Sequence, residues 1–534
     1  MMNKLLHIHP NDNCLVALTD LQPDNYAYGE GKSIEIIEAI PAKHRIALVE
    51  MPAGSIVTHY GVSVGKTTSY VPKGTRLTTE NLVHVADPSE IREVEYQWTV
   101  PNVQRFKGRT FMGYHRADGK VGTANYWLFV PLVFCENRNL RVIEETLNTS
   151  LGYKKDNDYI QFTKSLLGDS YTEKEVSTQR VFENIDGIRF LYHDGGCGGT
   201  RQDSETLLRL LAGYVNHPNV AGATVLSLGC QHAQINWFKE IQKSLYPHSE
   251  KPVIYLEQQK IKSEEMLIKK AISDTIDELK EANRISRQPA PLSKLVVGLE
   301  CGGSDGFSGL SANPAVGHAS DLVATLGGST ILSEFPELNG VEQNLIDRCV
   351  TKSVAEKFVH LQEAYSKRAV AVGSGFDKNP SPGNIKDGLI TDAIKSAGAA
   401  KKGGHAPVSD VLDYTEPVVK PGLNLLCTPG NDVESTTGMA GSGANVMLFT
   451  TGLGTPTGNP ICPVIKIATN TKLAESMPDI IDINAGQIIS GEKTIEQVGE
   501  EILEEIIKVA SGKQTKAMLL DQNDFILWKR GVSL

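Results

Sequence analysis

From about residue 111 almost to its end, the chain alternates short apolar runs with helical patterns, and this restricts its fold more than any other feature. "NYWLFVPLVF", "IRFLYHD", "ATVLSLG" and "PVIYLEQ" read as strands, and "RVIEETL", "SETLLRLLAGYV" and "NWFKEIQKSLY" as helices between them. Parallel strands need a crossover, and a helix supplies it, so such alternation implies a largely parallel sheet. The segment 263–286 keeps apolar residues at helical spacing and closes this stretch. A second stretch supplies "KLVVGLE", "STILSE", "LNLLC", "VMLFT", "VIKIAT" and "IIDIN" as strands. Near its end Ile495, Val498, Ile502, Ile506 and Val509 form one helical stripe, and Gly512 suits the helix terminus.

The first 90 residues have a different texture. "NCLVALTDL", "IEIIEAI", "HRIALVEM", "SIVTHYG" and "TRLTTENLVHV" follow one another with turn signals and no helical period, which predicts a small β domain. Within it, "THYGVSVGKTTSYVPKG" imitates a phosphate-binding loop. That loop needs four residues between its glycines and a helix after them. Here three residues separate Gly61 from Gly65, and a β-branched run ending in Pro72 follows, so the stretch reads as strand and turn. The predicted order is a β domain over 1–90, a charged linker over 91–110, an α/β middle domain over 111–288 and a mostly parallel α/β domain over 289–534.

A net charge of −10 argues against nucleic-acid or polybasic membrane partners. No run nears the roughly 18 apolar residues of a spanning helix, and no secretory signal is evident, so a cytoplasmic protein is expected. Eight cysteines without a C-x-x-C pair argue against a disulfide framework and a zinc ribbon.

Ligands gather beyond the carboxyl ends of strands in open α/β sheets. The unusual residues fall there repeatedly: Cys135 after "FVPLVF", His193 and Cys197 after "IRFLY", and Cys230 after "TVLSLG". Glu300 and Cys301 follow "KLVVGL", Glu334 follows "TILS", and Cys427 follows "LNLL". Thiols at several strand ends suit a soft metal or an iron site, although a buried cysteine also serves as a small apolar residue. His193 reads as a base, a metal ligand or a satisfied core histidine. His59 is a second histidine that a folded-over β domain could deliver. Lys466, charged inside a strand-like run, needs a partner or a site. Arg138 and Arg201 follow cysteine turns and could hold an anion or begin helices at the surface. No G-x-G-x-x-G opens a helix, which disfavours a dinucleotide oxidoreductase.

"YHRADGKVGTANYW", "LECGGSDGFSGLSANPAVG", "NPSPGN", "TPGND", "TGLGTPTG", "VIKIATN" and "INAG" occur in order and together resemble the altronate and galactarate dehydratases. The resemblance spans nearly the whole chain. It implies an N-terminal β-clip of the antifreeze-like type, to which Gly-Lys-Thr belongs, a middle dimerisation domain, a C-terminal Rossmann-like variant and a homodimer. It implies loss of water from a sugar acid, D-altronate giving 2-keto-3-deoxy-D-gluconate in hexuronate catabolism, assisted by iron(II) or manganese(II). Another aldonate or aldarate such as galactarate, or a non-catalytic sugar-acid-binding homologue, is the alternative. The expected site has Cys197, Cys230, Cys301 and Asp305 as metal ligands, His193, His59 and Lys466 for proton transfer, and Arg138, Arg201, Ser304 and Asn384 for substrate. The chain departs from the family pattern at Gly195, Gln231, Leu453 and Thr457.

Overall fold

Residues 4–29, 31–92, 94–154, 158–167 and 179–531 are described by a computed structural model. They form two units, one of residues 1–111 with 290–528 and one of 112–289 with 529–534.

The N-terminal part of the first unit is built from short antiparallel strands. Cys14–Ala17 pairs with Leu5–Leu6 and Arg45–Ala47, and Asp24–Tyr28 pairs with Lys32–Ile36. Ile56–His59 and Val62–Thr67 form a hairpin that Leu82–Val83 extends. Leu15, Ile34, Ile36 and Ile46 fill one small core. Val57, Val64 and Leu77 pack in another with Leu389, Ile390 and Ile394 of the same unit. The Gly-Lys-Thr sequence lies inside a strand, as predicted. A Cβ on Gly65 would come within 2.7 Å of the Val83 carbonyl, so glycine there permits close strand approach. Residues 94–109 are irregular but bonded along their length: Tyr96 donates to the His405 carbonyl at 2.8 Å, and Arg105 and Arg109 pair with Glu500 and Glu504.

The second unit carries a four-stranded parallel sheet. Its strands are β1 (Tyr126–Pro131), β2 (Gly187–Phe190), β3 (Val220–Ser227) and β4 (Val253–Glu257), in spatial order β2-β1-β3-β4. Trp127, Phe129, Ile143, Ile188 and Leu267 pack in its core. The predicted 263–286 helix spans Glu264–Ala282, capped by Ser263, whose hydroxyl accepts from the Met266 N–H.

The first unit holds a seven-stranded parallel sheet: β5 (Val296–Cys301), β6 (Ser329–Leu332), β7 (Val408–Leu412), β8 (Gly422–Leu426), β9 (Val446–Thr451), β10 (Val464–Ala468) and β11 (Ile483–Asn484). Their spatial order is β7-β8-β6-β5-β9-β10-β11. The late helix covers Ile495–Ala510, with a Thr494/Gln497 capping box and Val498, Ile502, Ile506 and Val509 buried. Mixed α/β architecture with a small strand-rich N-terminus is therefore what the chain adopts. Among the described residues no helix is long and apolar enough to cross a membrane.

Candidate active site

Both sheets begin in the middle and grow outward in both directions, which creates a topological switch beside the first strand, where such sheets bind ligands. In the seven-stranded sheet the switch lies between β5 and β9. β5 reads Val-Val-Gly-Leu-Glu-Cys, apolar until its carboxyl end, where Glu300 and Cys301 arrive fully buried. The neighbouring β6 ends at Leu332 and delivers Glu334, held at φ 63°. A non-glycine residue in that region costs on the order of 1–3 kcal/mol and marks an imposed geometry. The Thr428 hydroxyl fixes it by accepting from the Glu334 N–H at 2.8 Å. Glu337 follows on a 3₁₀ turn, and Asp432 sits in the first turn of helix Asp432–Gly441. Two lysines complete the group: Lys395 from helix Asp392–Ala399 and Lys402 from the turn that follows it.

Their contacts are short. Lys402 Nζ donates to Cys301 Sγ at 2.8 Å and to Glu334 Oε2 at 2.7 Å. Lys395 Nζ pairs with Glu337 Oε1 at 2.6 Å, and the Cys301 thiol donates to Glu337 Oε2 at 3.4 Å. Glu300 Oε2 accepts from Ser435 at 2.6 Å and from Ser333 at 3.4 Å. Glu300 Oε1 and Glu334 Oε1 are buried without a donor. Ligand atoms of Glu300, Glu334 and Asp432 lie within 4.8 Å of one another, as do those of Cys301, Glu334 and Glu337. Four carboxyl groups against two ammonium groups leave a surplus of two negative charges if all are ionised. Burial, then Glu334, pushes the Glu300 carboxyl well above its usual range; burial, then Glu337, raises Glu334. Burial raises Asp432 to about 7. Burial also works against charge on Lys402, but Cys301 and Glu334 outweigh it and raise that group well above its usual value. At Gly302 a Cβ would fall 2.0 Å from Asp432 Oδ2 and 2.6 Å from Phe449 Cζ, so this turn admits only glycine.

Lys466, on β10, borders this group. Its Nζ lies 3.5 Å from the centroid of the Phe449 ring and donates to the Thr457 hydroxyl at 3.1 Å. Burial lowers its pKa to about 7, so near neutrality it can both hold and release a proton.

The other sequence-predicted residues divide sharply. Asp305 is buried, but its carboxylate is engaged by Lys43 at 3.0 Å and by the Phe307 N–H and the Ser308 hydroxyl. The Ser304 carbonyl accepts from Asn384 Nδ2 at 2.8 Å, while Asn384 Oδ1 completes the Ser381 capping box. His59 is enclosed by Arg45, Cys14 and Asp12, and burial lowers it to about 4. In the second unit, burial likewise takes His193 to about 4. Its Nε2 donates to the Pro131 carbonyl at 2.7 Å and its Nδ1 accepts from the Gly195 N–H, so both ring nitrogens are committed. Arg138 pairs at the surface with Glu264, and Arg201 is an exposed residue opening its helix. Cys197 and Cys230 are exposed at strand ends of the second unit, as is Cys135, whose thiol is raised by burial and then by those two neighbours. Gln231 is satisfied internally by the Gly229 N–H and Ser227.

Sequence reasoning found Glu300, Cys301, Glu334 and Lys466 but missed Glu337, Lys395, Lys402 and Asp432. The available signal was "KSAGAAKKGGHA", where lysines stand in a run of small residues that gives them no reason to be solvated.

Family models match three successive regions: the altronate/galactarate dehydratase SAF domain at 3–85, the D-galactarate dehydratase/altronate hydrolase second domain at 113–283, and the D-galactarate/altronate dehydratase C-terminal domain at 292–533. An altronate dehydratase of Bacillus subtilis is 34% identical over the full length of both chains. The chain belongs to the altronate/galactarate dehydratase family. Within that family it is also similar to an altronate dehydratase of Escherichia coli, at 33% identity over 99% of each chain. A galactarate dehydratase (L-threo-forming) of Escherichia coli is 31% identical over 95% of this chain and 93% of its own. The β5 and Lys402 cluster falls in the region matched by the family's C-terminal model.

Proposed function

We propose that the protein is a hydro-lyase that removes water from a sugar acid, D-altronate to 2-keto-3-deoxy-D-gluconate being the reaction that the names of the two altronate dehydratase relatives favour. The observation that carries the reading is the buried group of four carboxyls and two lysines at the switch point of the seven-stranded sheet. Dehydration of a hydroxy acid takes a proton from the carbon alpha to a carboxylate and expels the beta hydroxyl, and the enediolate between the two events carries two negative charges. A site for it must concentrate cationic groups where water is excluded.

A divalent cation fits the residues present. Glu300 and Glu334 each offer a donorless buried oxygen, Asp432 lies within reach of both, and a divalent ion would balance the two negative charges left when all four carboxyls ionise. Oxygen donors suit iron(II) or manganese(II), and such an ion supplies Lewis acidity toward carboxylate and hydroxyl oxygens. The chain's own residues do the rest. Lys402, locked as an ammonium by Cys301 and Glu334, supplies fixed positive charge. Lys466 moves the proton, because burial leaves its amine half-neutral near pH 7. Thr457 orients that amine through its hydroxyl. Gly302 keeps the β5 turn open beside Asp432.

The test is detection by mass of water loss across aldonate and aldarate isomers, run anaerobically with iron(II) or manganese(II). Turnover of D-altronate above all others supports the reading. Preference for galactarate would move the substrate, and no turnover of any isomer would leave a binding protein.

A further inference from the structure

The second unit has its own unexplained chemistry. Cysteine is ordinarily among the most buried residues. Of the eight here, three are exposed, Cys135, Cys197 and Cys230, and these three follow three adjacent parallel strands, β1, β2 and β3. The switch point of this sheet lies between β1 and β3, so the turns that carry the thiols follow the strands at and beside the place where an open α/β sheet takes its ligand. Backbone hydrogen bonds tie the three turns together. The Phe134 N–H donates to the Gly195 carbonyl at 3.1 Å, and the His232 and Ala233 N–H groups donate to the Gly196 carbonyl at 3.1 and 3.2 Å. Each cysteine is thus one or two residues from a bond joining its turn to a neighbouring one. Gly196, at φ 96°, makes this possible: a Cβ there would lie 2.1 Å from the Leu132 carbonyl oxygen. His193 braces the same turn through Pro131 and Gly195.

One further fact points to a ligand. Glu136 Oε1 and Asn137 Oδ1, beside Cys135, are buried without hydrogen-bond partners. A single thiolate-bound ion, with metal–sulfur bonds of about 2.3 Å, would hold its sulfurs about 3.8 Å apart. Among the described residues the groups that close to within 4.8 Å are the two carboxylate sets of the other unit, and the three thiols are not among them. An iron–sulfur cube spreads its thiolates more widely than one ion does, and it binds through cysteine.

We propose that Cys135, Cys197 and Cys230 hold an iron–sulfur cluster at the carboxyl end of the four-stranded sheet, with one iron left without a protein thiolate. That iron carries an exchangeable oxygen ligand; its three cysteines belong to the second unit, whereas the carboxylate and lysine group of the proposed function belongs to the first.

Full-length protein, purified without oxygen and reconstituted with iron(II) and sulfide, is measured for iron, acid-labile sulfide and Mössbauer spectrum. About four irons and four sulfides per chain are expected. The triple variant Cys135→Ser, Cys197→Ser, Cys230→Ser should lose all of the labile sulfide while its circular dichroism stays that of the parent. A Cys349→Ser, Cys462→Ser control should keep it. Iron without labile sulfide in the parent, a cluster that survives the triple change, or equal loss in the control overturns the assignment. None of these readouts depends on turnover, so they stand or fall apart from the dehydratase reading.

Discussion

In the four-stranded sheet, the turns after three strands carry exposed thiols; in the seven-stranded sheet, carboxyl groups at the corresponding ends meet lysines from a helix and the turn after it, withdrawn from water. Both sheets start in the middle and switch direction, so topology alone would predict the same kind of site in each. What separates them is burial. Lys402 and Glu334 are 1% and 0% exposed, so each controls the other's charge, and removing either leaves an uncompensated ion. Lys529 and Asp194 of the second unit form a comparable contact at 2.6 Å with 37% and 80% exposure, where solvent screens it. The same pair of functional groups is therefore a determinant of chemistry in one place and close to neutral in the other.

The largest expected effect comes from Lys402→Met. It strands Glu334 and Cys301 beside Glu300, and urea unfolding should show a loss of about 3–5 kcal/mol together with abolished turnover. Loss within 1 kcal/mol would mean that the cluster is already neutralised by protons. Glu300→Gln keeps shape and the Ser435 contact but can no longer ionise to hold a cation. Turnover and iron(II) affinity should each fall about a hundredfold, with little change in unfolding.

Lys466→Met and Asp432→Asn should act in opposite pH windows. Lys466 is lowered from 10.5 to about 7, so the folded protein holds fewer protons than the unfolded chain between those values. Its cost is complete below pH 7 and gone above 10.5, so Lys466→Met should stabilise by about 1–3 kcal/mol at pH 6 and progressively less toward pH 10. Asp432 is raised from 3.8 to about 7, so its cost is absent below pH 3.8 and complete above 7. Asp432→Asn should therefore stabilise at pH 8 and not at pH 4. Thermal melts across pH check both signs, and parallel curves for the two variants would refute the assignments.

The smallest effect sharpens the contrast best. Cys301→Ser places a hydroxyl in a buried charged group and should cost about 1–3 kcal/mol. Cys197→Ser, at an exposed turn, should stay within about 0.5 kcal/mol without added iron. Equal losses would erase the distinction between the two sheet ends.

The strand runs, the 263–286 helix with its serine cap, and the late helix with Thr494 and Gln497 were all legible, because hydrophobic period and capping are local signals. β7 was not: "VSDVL" is a short edge strand with two adjacent polar residues, so it lacks both the alternation and the continuous apolar run that mark a strand. At the sites, residues at or beyond the carboxyl end of a strand, such as Glu300, Cys301, Glu334 and Cys197, could be picked out. His59 and His193 could be picked out too, but sequence could not show that burial and neighbouring groups occupy both rings.

By itself, then, the sequence determined the alternating α/β plan, the strand-rich N-terminus and the kinship, because each rests on residues close together in the chain or on long motifs in order. Only tertiary structure decided which charges meet. Lys402 reaches Cys301 across 101 positions and Glu334 across 68. The energy of such a pair depends on distance and on the exclusion of water, and neither quantity is written in local order.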